Sequence, residues 1–285
     1  TTTNRYSVVV GDLFHPAQDG AGFLFTLEHF EAVRHILEEG GLFCQWLPVY
    51  QMETSTIDTV AQTFQSVFPY SEMWLLRFNV DTPVVGLIGW QAVPRFSTNL
   101  VEAKLADDPR LQEHLRTAGL AETVRLLGLR LGILEPSVSQ RLNTDDRPIL
   151  IFEAPLLTFR KQDDPGARLL QLVERFGHSA FSLPLKQTDA AFAERVRRYT
   201  QARDIYLRGL VEEGKGNVLG AAPLYIESAR RSLEFTSGYA NALGLATTLA
   251  RSQPERAQGI LRELMLAQPS RPVAGQLLEK LQGER

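Results

Sequence analysis

In its first half the chain alternates short apolar runs with amphipathic helical segments, and this alternation restricts the fold to the α/β class. The run from Tyr6 to Val10 is rich in β-branched residues and is followed by Asp12. Such a run is typical of a strand that is buried on both faces of a parallel sheet. A second apolar run, from Leu42 to Trp46, follows one helical segment later. We therefore expect the order strand, helix, strand, helix and an open sheet.

Capping residues and turns define the two helices that accompany these strands. Thr26 is the expected N-cap of the first helix, and Gly40-Gly41 is expected to end it. The second helix is expected to begin at Thr54 or Ser55 and to end before Pro69. The expected apolar faces consist of Phe30, Val33 and Leu37 in the first helix and Val60, Phe64 and Val67 in the second.

The segments that follow are predicted to complete a sheet domain over residues 1–160. Two apolar strands, Glu72 to Phe78 and Val84 to Trp90, are joined by a turn-like segment and predict an antiparallel closing pair. From Leu100 to Leu134 the apolar spacing is helical. The apolar run from Ile149 to Glu153 is predicted to be a further strand.

After about residue 160 the strand pattern disappears. Charge, proline and glycine replace apolar residues between Arg160 and Gly166, and every later segment has helical spacing. Small residues at the expected helix crossings resemble degenerate tetratricopeptide-type repeats of about 34 residues. We expect an all-α, tetratricopeptide-like domain over residues 167–285. Its predicted helices are approximately Ala167–Phe176, Ala190–Glu213, Ala221–Glu234, Gly238–Ala250, Pro254–Ala267 and Val273–Leu281.

Composition and charge exclude several classes of protein. With 44% hydrophobic and 22% charged residues the chain is not wholly disordered, and a net charge of -3 without a basic block argues against nucleic acid as a partner. The single cysteine, Cys44, excludes an intrachain disulfide and fits a reducing compartment. No histidine pair has metal-ligand spacing with a carboxylate, so we expect no metal. No apolar stretch approaches the about 20 residues that span a bilayer, so we expect a soluble domain.

Asp12 is the leading candidate for a functional residue. Ligands of an open parallel sheet bind beyond the carboxyl ends of its strands, where Asp12 is expected to lie. An acid in this position also caps turns, and spacing alone does not choose between the two interpretations. Asp145-Asp146 leaves a similar choice between a substrate cleft and a hydrogen-bonded turn.

Several segments carry a resemblance to a known family. The segments Tyr6 to Pro16, Gly20 to Phe30 and Gly40 to Gln45 resemble the second half of a spermidine synthase, a polyamine aminopropyltransferase. The segments Gln45-Trp-Leu-Pro48 and Asn143-Thr-Asp-Asp-Arg-Pro148 are similar to bacterial spermidine-synthase-like proteins that are often fused to membrane segments. The resemblance covers roughly Tyr6 to Pro155. It implies a class I methyltransferase-like, Rossmann-like sheet and a cytoplasmic-side domain whose parent protein carries a membrane anchor.

The resemblance also implies an activity and a set of site residues. The activity is transfer of an aminopropyl group from decarboxylated S-adenosylmethionine to a polyamine or other small amine. Asp12 matches the catalytic Asp of the family and would accept the proton of the attacking amine. His15 stands where the family supplies a second acid, and Asp81 lies where the family places a Tyr beside the amine. With Gln45, these two residues are the expected substrate contacts.

Two departures from the family pattern leave other functions open. The family's Gly-rich turn and ribose-binding acid precede its catalytic strand, whereas no element precedes Tyr6 here. We therefore expect a fragment with half a site, no binding of the nucleoside by this chain alone, and self-association through the strand Tyr6 to Val10. One alternative is a non-catalytic scaffold whose helical tail binds a protein partner. A methyltransferase that uses S-adenosylmethionine is a third hypothesis.

Overall fold

The computed structural model describes residues 3–93, 98–135, 141–158, 163–177 and 190–283. Its contacts divide the chain into two compact units, and each unit is discontinuous in sequence. The first unit comprises Thr1–Ser97 and Leu129–Lys186, and the second comprises Thr98–Gly128 and Gln187–Arg285. The expected boundary near residue 160 divides the chain differently, because it assigns residues 98–128 to the sheet domain.

A five-stranded mixed sheet forms the centre of the first unit. Its strands are β1 (Tyr6–Gly11), β2 (Leu37–Pro48), β3 (Tyr70–Leu75), β4 (Val84–Trp90) and β5 (Arg130–Ile133). Their order across the sheet is β1-β2-β4-β3-β5. β1 pairs with β2 in parallel, and the other neighbouring strands are antiparallel. The α/β class and the antiparallel pair β3–β4 are therefore confirmed.

Twelve α-helices lie within the described residues. In chain order they are α1 (Leu27–Ile36), α2 (Thr54–Val67), α3 (Thr98–Asp107), α4 (Pro109–Thr117), α5 (Thr123–Leu127), α6 (Ile149–Thr158), α7 (Pro165–Gly177), α8 (Ala190–Gly214), α9 (Val218–Arg231), α10 (Thr236–Leu249), α11 (Pro254–Ala267) and α12 (Val273–Gly283).

The core of the first unit is an aromatic cluster between the sheet and the helices α1 and α2. Phe30 of α1, Phe43 of β2 and Phe64 of α2 are buried, and the ring centroids of Phe30 and Phe64 are 5.2 Å apart. The rings of Phe64 and Phe68 approach to 5.0 Å. Gly89 of β4 allows this packing, since a Cβ atom there would lie 2.6 Å from both Phe64 and Phe68.

The predicted end of the first helix is wrong. α1 ends at Ile36, and Leu37 already belongs to β2, so Gly40 and Gly41 lie inside a strand instead of ending a helix. Close backbone packing explains Gly41, because a Cβ atom there would lie 3.1 Å from the carbonyl oxygen of Ser7 in the neighbouring strand. Thr26 is the N-cap of α1, as predicted, and its side chain accepts a hydrogen bond from the backbone N–H of His29.

Two further elements differ from their predicted type. The predicted strand at Ile149 to Glu153 is the beginning of helix α6, because a short apolar run fits a buried strand and a helix equally well. Helical spacing was expected up to Leu134, but the last part of this segment, Arg130–Ile133, forms strand β5. A buried ion pair accompanies this strand, with Arg130 Nε of β5 lying 2.9 Å from Glu72 Oε2 of β3.

The prediction that the first strand is buried on both faces is also wrong. β1 lies at the edge of the sheet and has β2 as its neighbour on one side. The side chains of Val8 and Val10 are 55% and 56% exposed. An edge strand leaves one row of its backbone N–H and C=O groups without a neighbouring strand.

The second unit is helical. α8 and α9 pack against each other, as do the successive pairs from α9 to α12, and the helices lie close to their predicted positions. The segment 98–128 belongs here because Gly128 packs against Tyr199 of α8 and accepts a 2.7 Å hydrogen bond from Arg203 Nη1. By contrast, α7, predicted as the first tail helix, belongs to the first unit, where Arg168 donates a hydrogen bond to the carbonyl of Val49.

Candidate functional site

Three loops of the first unit lie at the same end of the sheet: the loop after β1, the loop after β2 and the loop before β4. β1 and β2 run parallel and end at this edge, and β4 begins there because Pro48 is paired with Val84. The loop after β1 carries Asp12 and His15, and the loop before β4 carries Asp81. The structure therefore places the sequence-predicted site residues at the same end of the sheet.

Asp12 is an exposed residue directly after β1. Its Oδ1 accepts a 2.7 Å hydrogen bond from the backbone N–H of Leu13, and its backbone carbonyl accepts one from Phe14. No hydrogen bond to Oδ2 occurs within the described residues. One carboxylate oxygen thus stabilises the turn, and the other remains available to a ligand.

Gln45 lies one strand away from Asp12 and is fully buried. It is paired with Gly11 across the β1–β2 ladder, and a Cβ atom at Gly11 would lie 2.4 Å from Gln45 Oε1. The side-chain Nε2 donates a 3.2 Å hydrogen bond to the carbonyl of Trp46, which identifies the other amide atom as the oxygen. That oxygen, Oε1, is buried and has no hydrogen-bond partner among the described residues. It is therefore an unused acceptor next to the residue that precedes Asp12.

His15 is held by side chains that follow β2. Its Nδ1 lies 2.6 Å from Gln51 Nε2 and 3.5 Å from the hydroxyl of Tyr50. Since the amide nitrogen of Gln51 can only donate, His15 Nδ1 is assigned as the acceptor in this contact. Burial raises the pKa of Tyr50, and the positive charge of Arg77 opposes this rise. His15 is therefore fixed by neighbouring groups at the edge of the sheet.

Asp81 lies in a tight turn before β4. The side-chain oxygen of Asn79 accepts hydrogen bonds of 2.9 Å from the backbone N–H groups of Asp81 and Thr82. The Asp81 side chain is exposed, and no hydrogen bond or ion pair joins it to Asp12, Gln45 or His15 within the described residues. The loop of Asp12 leaves β1 and the loop of Asp81 leads into β4, and these two strands are about 10 Å apart because β2 lies between them.

The sequence analysis did not identify Gln51 and Arg77 as neighbours of the site. Tyr50 and Gln51 directly follow β2, and Arg77 follows β3, whose carboxyl end lies at the same edge. The signal in the sequence is a position directly after a strand, the same signal that selects Asp12. Because β3 and β4 are antiparallel, Arg77 lies at the same end of the sheet as the beginning of β4.

The Asn143 to Pro148 segment is a hydrogen-bonded turn. Arg147 N–H donates to the hydroxyl of Thr144, and Asp145 N–H donates to Glu28 Oε2 at 2.9 Å. Asn143 itself is fully buried and donates to the carbonyl of Phe25. The backbone groups of this segment therefore join α1 to the beginning of α6.

Within the described residues, no group of three or more His, Cys, Asp or Glu side chains is arranged to hold a metal ion. No described helix is long and apolar enough to cross a membrane. No model of a known protein family matches the chain, and no curated protein matches it. The geometry of the sheet edge and the resemblance of its residues are therefore the basis for a proposed function.

Proposed function

We propose that the loops at the carboxyl ends of β1 and β2 bind a polyamine or other small amine, as part of a spermidine synthase-like aminopropyltransferase. The observation that carries this proposal is the exposed carboxylate of Asp12, whose Oδ2 accepts no hydrogen bond within the described residues, next to the buried acceptor Oε1 of Gln45 on the neighbouring strand. An amine supplies N–H donors and a positive charge, which suit an amide oxygen and a carboxylate. The resemblance to aminopropyltransferases supports the same ligand class.

In the proposed reaction the neutral amine attacks the aminopropyl methylene of decarboxylated S-adenosylmethionine. A nitrogen–carbon bond forms, and the carbon–sulfur bond breaks with its electron pair passing to the sulfonium sulfur, which leaves as a neutral thioether. Asp12 accepts the proton that the amine nitrogen loses. Gln45 orients the amine through Oε1, and Asp81 attracts a second, distant ammonium group of the substrate. His15 orients the loop through Gln51.

Calorimetric titration with putrescine and spermidine tests this proposal. We expect Asp12→Asn and Gln45→Met each to weaken binding about tenfold or more, because the first removes the negative charge that faces the ammonium group and the second removes the amide acceptor. Asp19→Asn is the matched control, since Asp19 is an exposed acid of the same loop. Absence of amine binding, or an equal loss in the Asp19 control, would contradict the proposal. Where aminopropyl transfer is measurable, Asp12→Asn should lower turnover by about 10²–10⁴-fold.

A second candidate function is a non-catalytic scaffold that binds a protein partner through its helical unit. The observation that favours it concerns His15, which stands where the aminopropyltransferase family has an acid. Its Nδ1 already accepts a hydrogen bond from Gln51. A scaffold would retain the sheet as a support and need no amine site. Amine titration distinguishes the two candidates, because a scaffold predicts no effect of Asp12→Asn on any ligand.

A further inference from the structure

A charged motif occurs twice in the second unit, on neighbouring helices. α8 contains Glu194, Arg197 and Arg198, and α9 contains the same arrangement at Glu227, Arg230 and Arg231. Residues separated by three and four positions lie on the same face of a helix. Each helix therefore presents one glutamate and two arginines together.

Within each motif the glutamate holds both arginines. Glu194 Oε1 accepts a 2.8 Å hydrogen bond from Arg198 Nε, and Glu194 Oε2 accepts one of 2.6 Å from Arg197 Nε. Glu227 accepts bonds of 2.7 Å from Arg230 and 2.9 Å from Arg231. Hydrogen bonds to Arg197 and then Arg198 lower the pKa of Glu194 to about 2. Each glutamate and its two arginines therefore carry opposite charges at physiological pH.

The two motifs line one hollow on the surface of the second unit. The hollow has a volume of about 440 Å³ and is lined by both glutamates, all four arginines and Gln201. Four guanidinium groups face two carboxylates, so the lining is positive although the whole chain carries a net charge of -3. Salt bridges inside one helix explain each motif taken alone. Arg230 also donates a 3.3 Å hydrogen bond to Glu263 of α11, so four arginines share three carboxylates. Pairing within one helix does not explain why both motifs meet at one hollow.

Two arginines of the hollow, Arg198 and Arg231, have terminal N–H donors that could bind a ligand. Arg198 and Arg231 each bond their glutamate through Nε, and no hydrogen bond from their terminal nitrogens occurs within the described residues. Their side chains are 61% and 52% exposed. The two terminal nitrogens of a guanidinium form a planar fork that fits a carboxylate. Each glutamate therefore orients a guanidinium whose outer edge is open.

We propose that this hollow binds an acidic peptide segment of a protein partner, with carboxylate side chains received by Arg198 and Arg231. Charge complementarity favours an anionic partner. A single-stranded nucleic acid is less suited to the hollow, since none of its lining residues is aromatic and base stacking needs an aromatic surface. The proposal concerns the second unit and does not depend on the amine site of the first.

Fluorescence anisotropy of a labelled hexaglutamate peptide tests this inference with the full chain at low ionic strength. We expect the double variant Arg198→Gln, Arg231→Gln to weaken binding about tenfold or more. The matched control is Arg251→Gln, Arg256→Gln, which removes the same charge from exposed positions outside the hollow. Binding of the control should stay within about twofold of the unchanged chain. Circular dichroism should show that both double variants keep their helix content.

Three results would overturn the inference. The first is no binding of the peptide, and the second is an equal loss of affinity in the two double variants, which would indicate attraction by net charge alone. The third is displacement of the peptide by inorganic phosphate or by an oligouridylate at lower concentration than unlabelled hexaglutamate. Asp12→Asn should leave peptide affinity unchanged, so failure of the amine proposal and failure of this one remain separate results.

Discussion

Two buried amide side chains of the first unit differ in how fully they use their hydrogen-bonding groups. Asn143 donates to the carbonyls of Gly22 and Phe25 and accepts from the N–H of Leu150. Gln45 donates one hydrogen bond, and its Oε1 has no hydrogen-bond partner among the described residues. Leaving a buried polar atom unpaired costs about 1–3 kcal/mol. Asn143 therefore has a structural role, whereas Gln45 is the better candidate for contact with a ligand.

At this scale we predict that Gly11→Ala disturbs both stability and amine binding. The new Cβ would lie 2.4 Å from Gln45 Oε1 and would displace the amide. Overpacking of this kind costs about 1–3 kcal/mol. Urea unfolding measures the first effect, and calorimetric titration with putrescine measures the second.

Gly244→Ala is the matched control for this substitution. Gly244 lies in α10 with no atom within 4 Å of an added Cβ. There alanine should leave stability unchanged or raise it by up to about 1 kcal/mol, because alanine favours helix. Unchanged stability and putrescine affinity in Gly11→Ala would show that Gln45 does not pack against Gly11.

A second prediction at the residue scale concerns the thiol of Cys44. Burial raises its pKa to about 11, and a hydrogen bond with Trp46 opposes the rise. The folded chain therefore keeps its thiol proton to higher pH than the unfolded chain. This stabilisation is present below the ordinary thiol pKa and is lost as pH rises through about 11.

Alkylation by iodoacetamide measures this shift directly, since Cys44 is the single cysteine. The alkylation rate of the folded protein should rise with a midpoint near pH 11. In urea the midpoint should fall to about 8.5, the value of a free thiol. A folded-state midpoint equal to that in urea would contradict the partial burial of the Cys44 thiol.

At the scale of elements, β1 combines an exposed edge with an exposed apolar face. Val8 is paired with Leu42 and Val10 with Cys44, so these four side chains share one face of the parallel pair. All four are partly or largely exposed. Parallel strands are usually covered on both faces. β1 is therefore the strand from which association with another strand is most expected.

We predict that the chain self-associates through β1 and that Val8→Lys with Val10→Lys reduces this association. Charged side chains on an edge strand oppose pairing with a second strand. Light scattering across a dilution series measures the change in mass. Val93→Lys is the control, because Val93 is also 55% exposed but lies after β4. A chain that is monomeric at all concentrations, or equal effects at Val93 and β1, would contradict the prediction.

For the whole molecule, local patterns predicted most helices but not how distant segments meet. Capping at Thr26 and regular apolar spacing located α1, α2 and the helices after residue 190. The run at Ile149 was assigned wrongly because its apolar residues have no period that separates strand from helix. The position of Asp12 after a strand was predictable, whereas the contact of His15 with Gln51 depends on strand pairing and loop geometry.

We predict that residues 187–285, produced alone, form helices but melt at a lower temperature than when peptide 98–128 is added. Arg203 of α8 is fully buried and donates to the carbonyl of Gly128. Loss of a hydrogen bond to a charged group costs about 1.5–3 kcal/mol, which corresponds to a shift of at least about 5 °C for a unit of this size. Circular dichroism melting measures the shift. Equal melting temperatures with and without the peptide would contradict the grouping of these segments.

The discontinuity of both units has a consequence for synthesis on the ribosome. Gly128 and Arg203 are 75 positions apart, and Gly22 and Asn143 are 121 apart. At about 5–20 residues per second, Gly128 waits roughly 4 to 15 s for its partner to be translated. During that interval α5 lacks α8, the helix that packs against it, and the beginning of α1 lacks Asn143. Neither unit is complete when the first half of the chain leaves the ribosome, so nascent chains of this protein depend on protection from chaperones more than a chain with two sequential domains would.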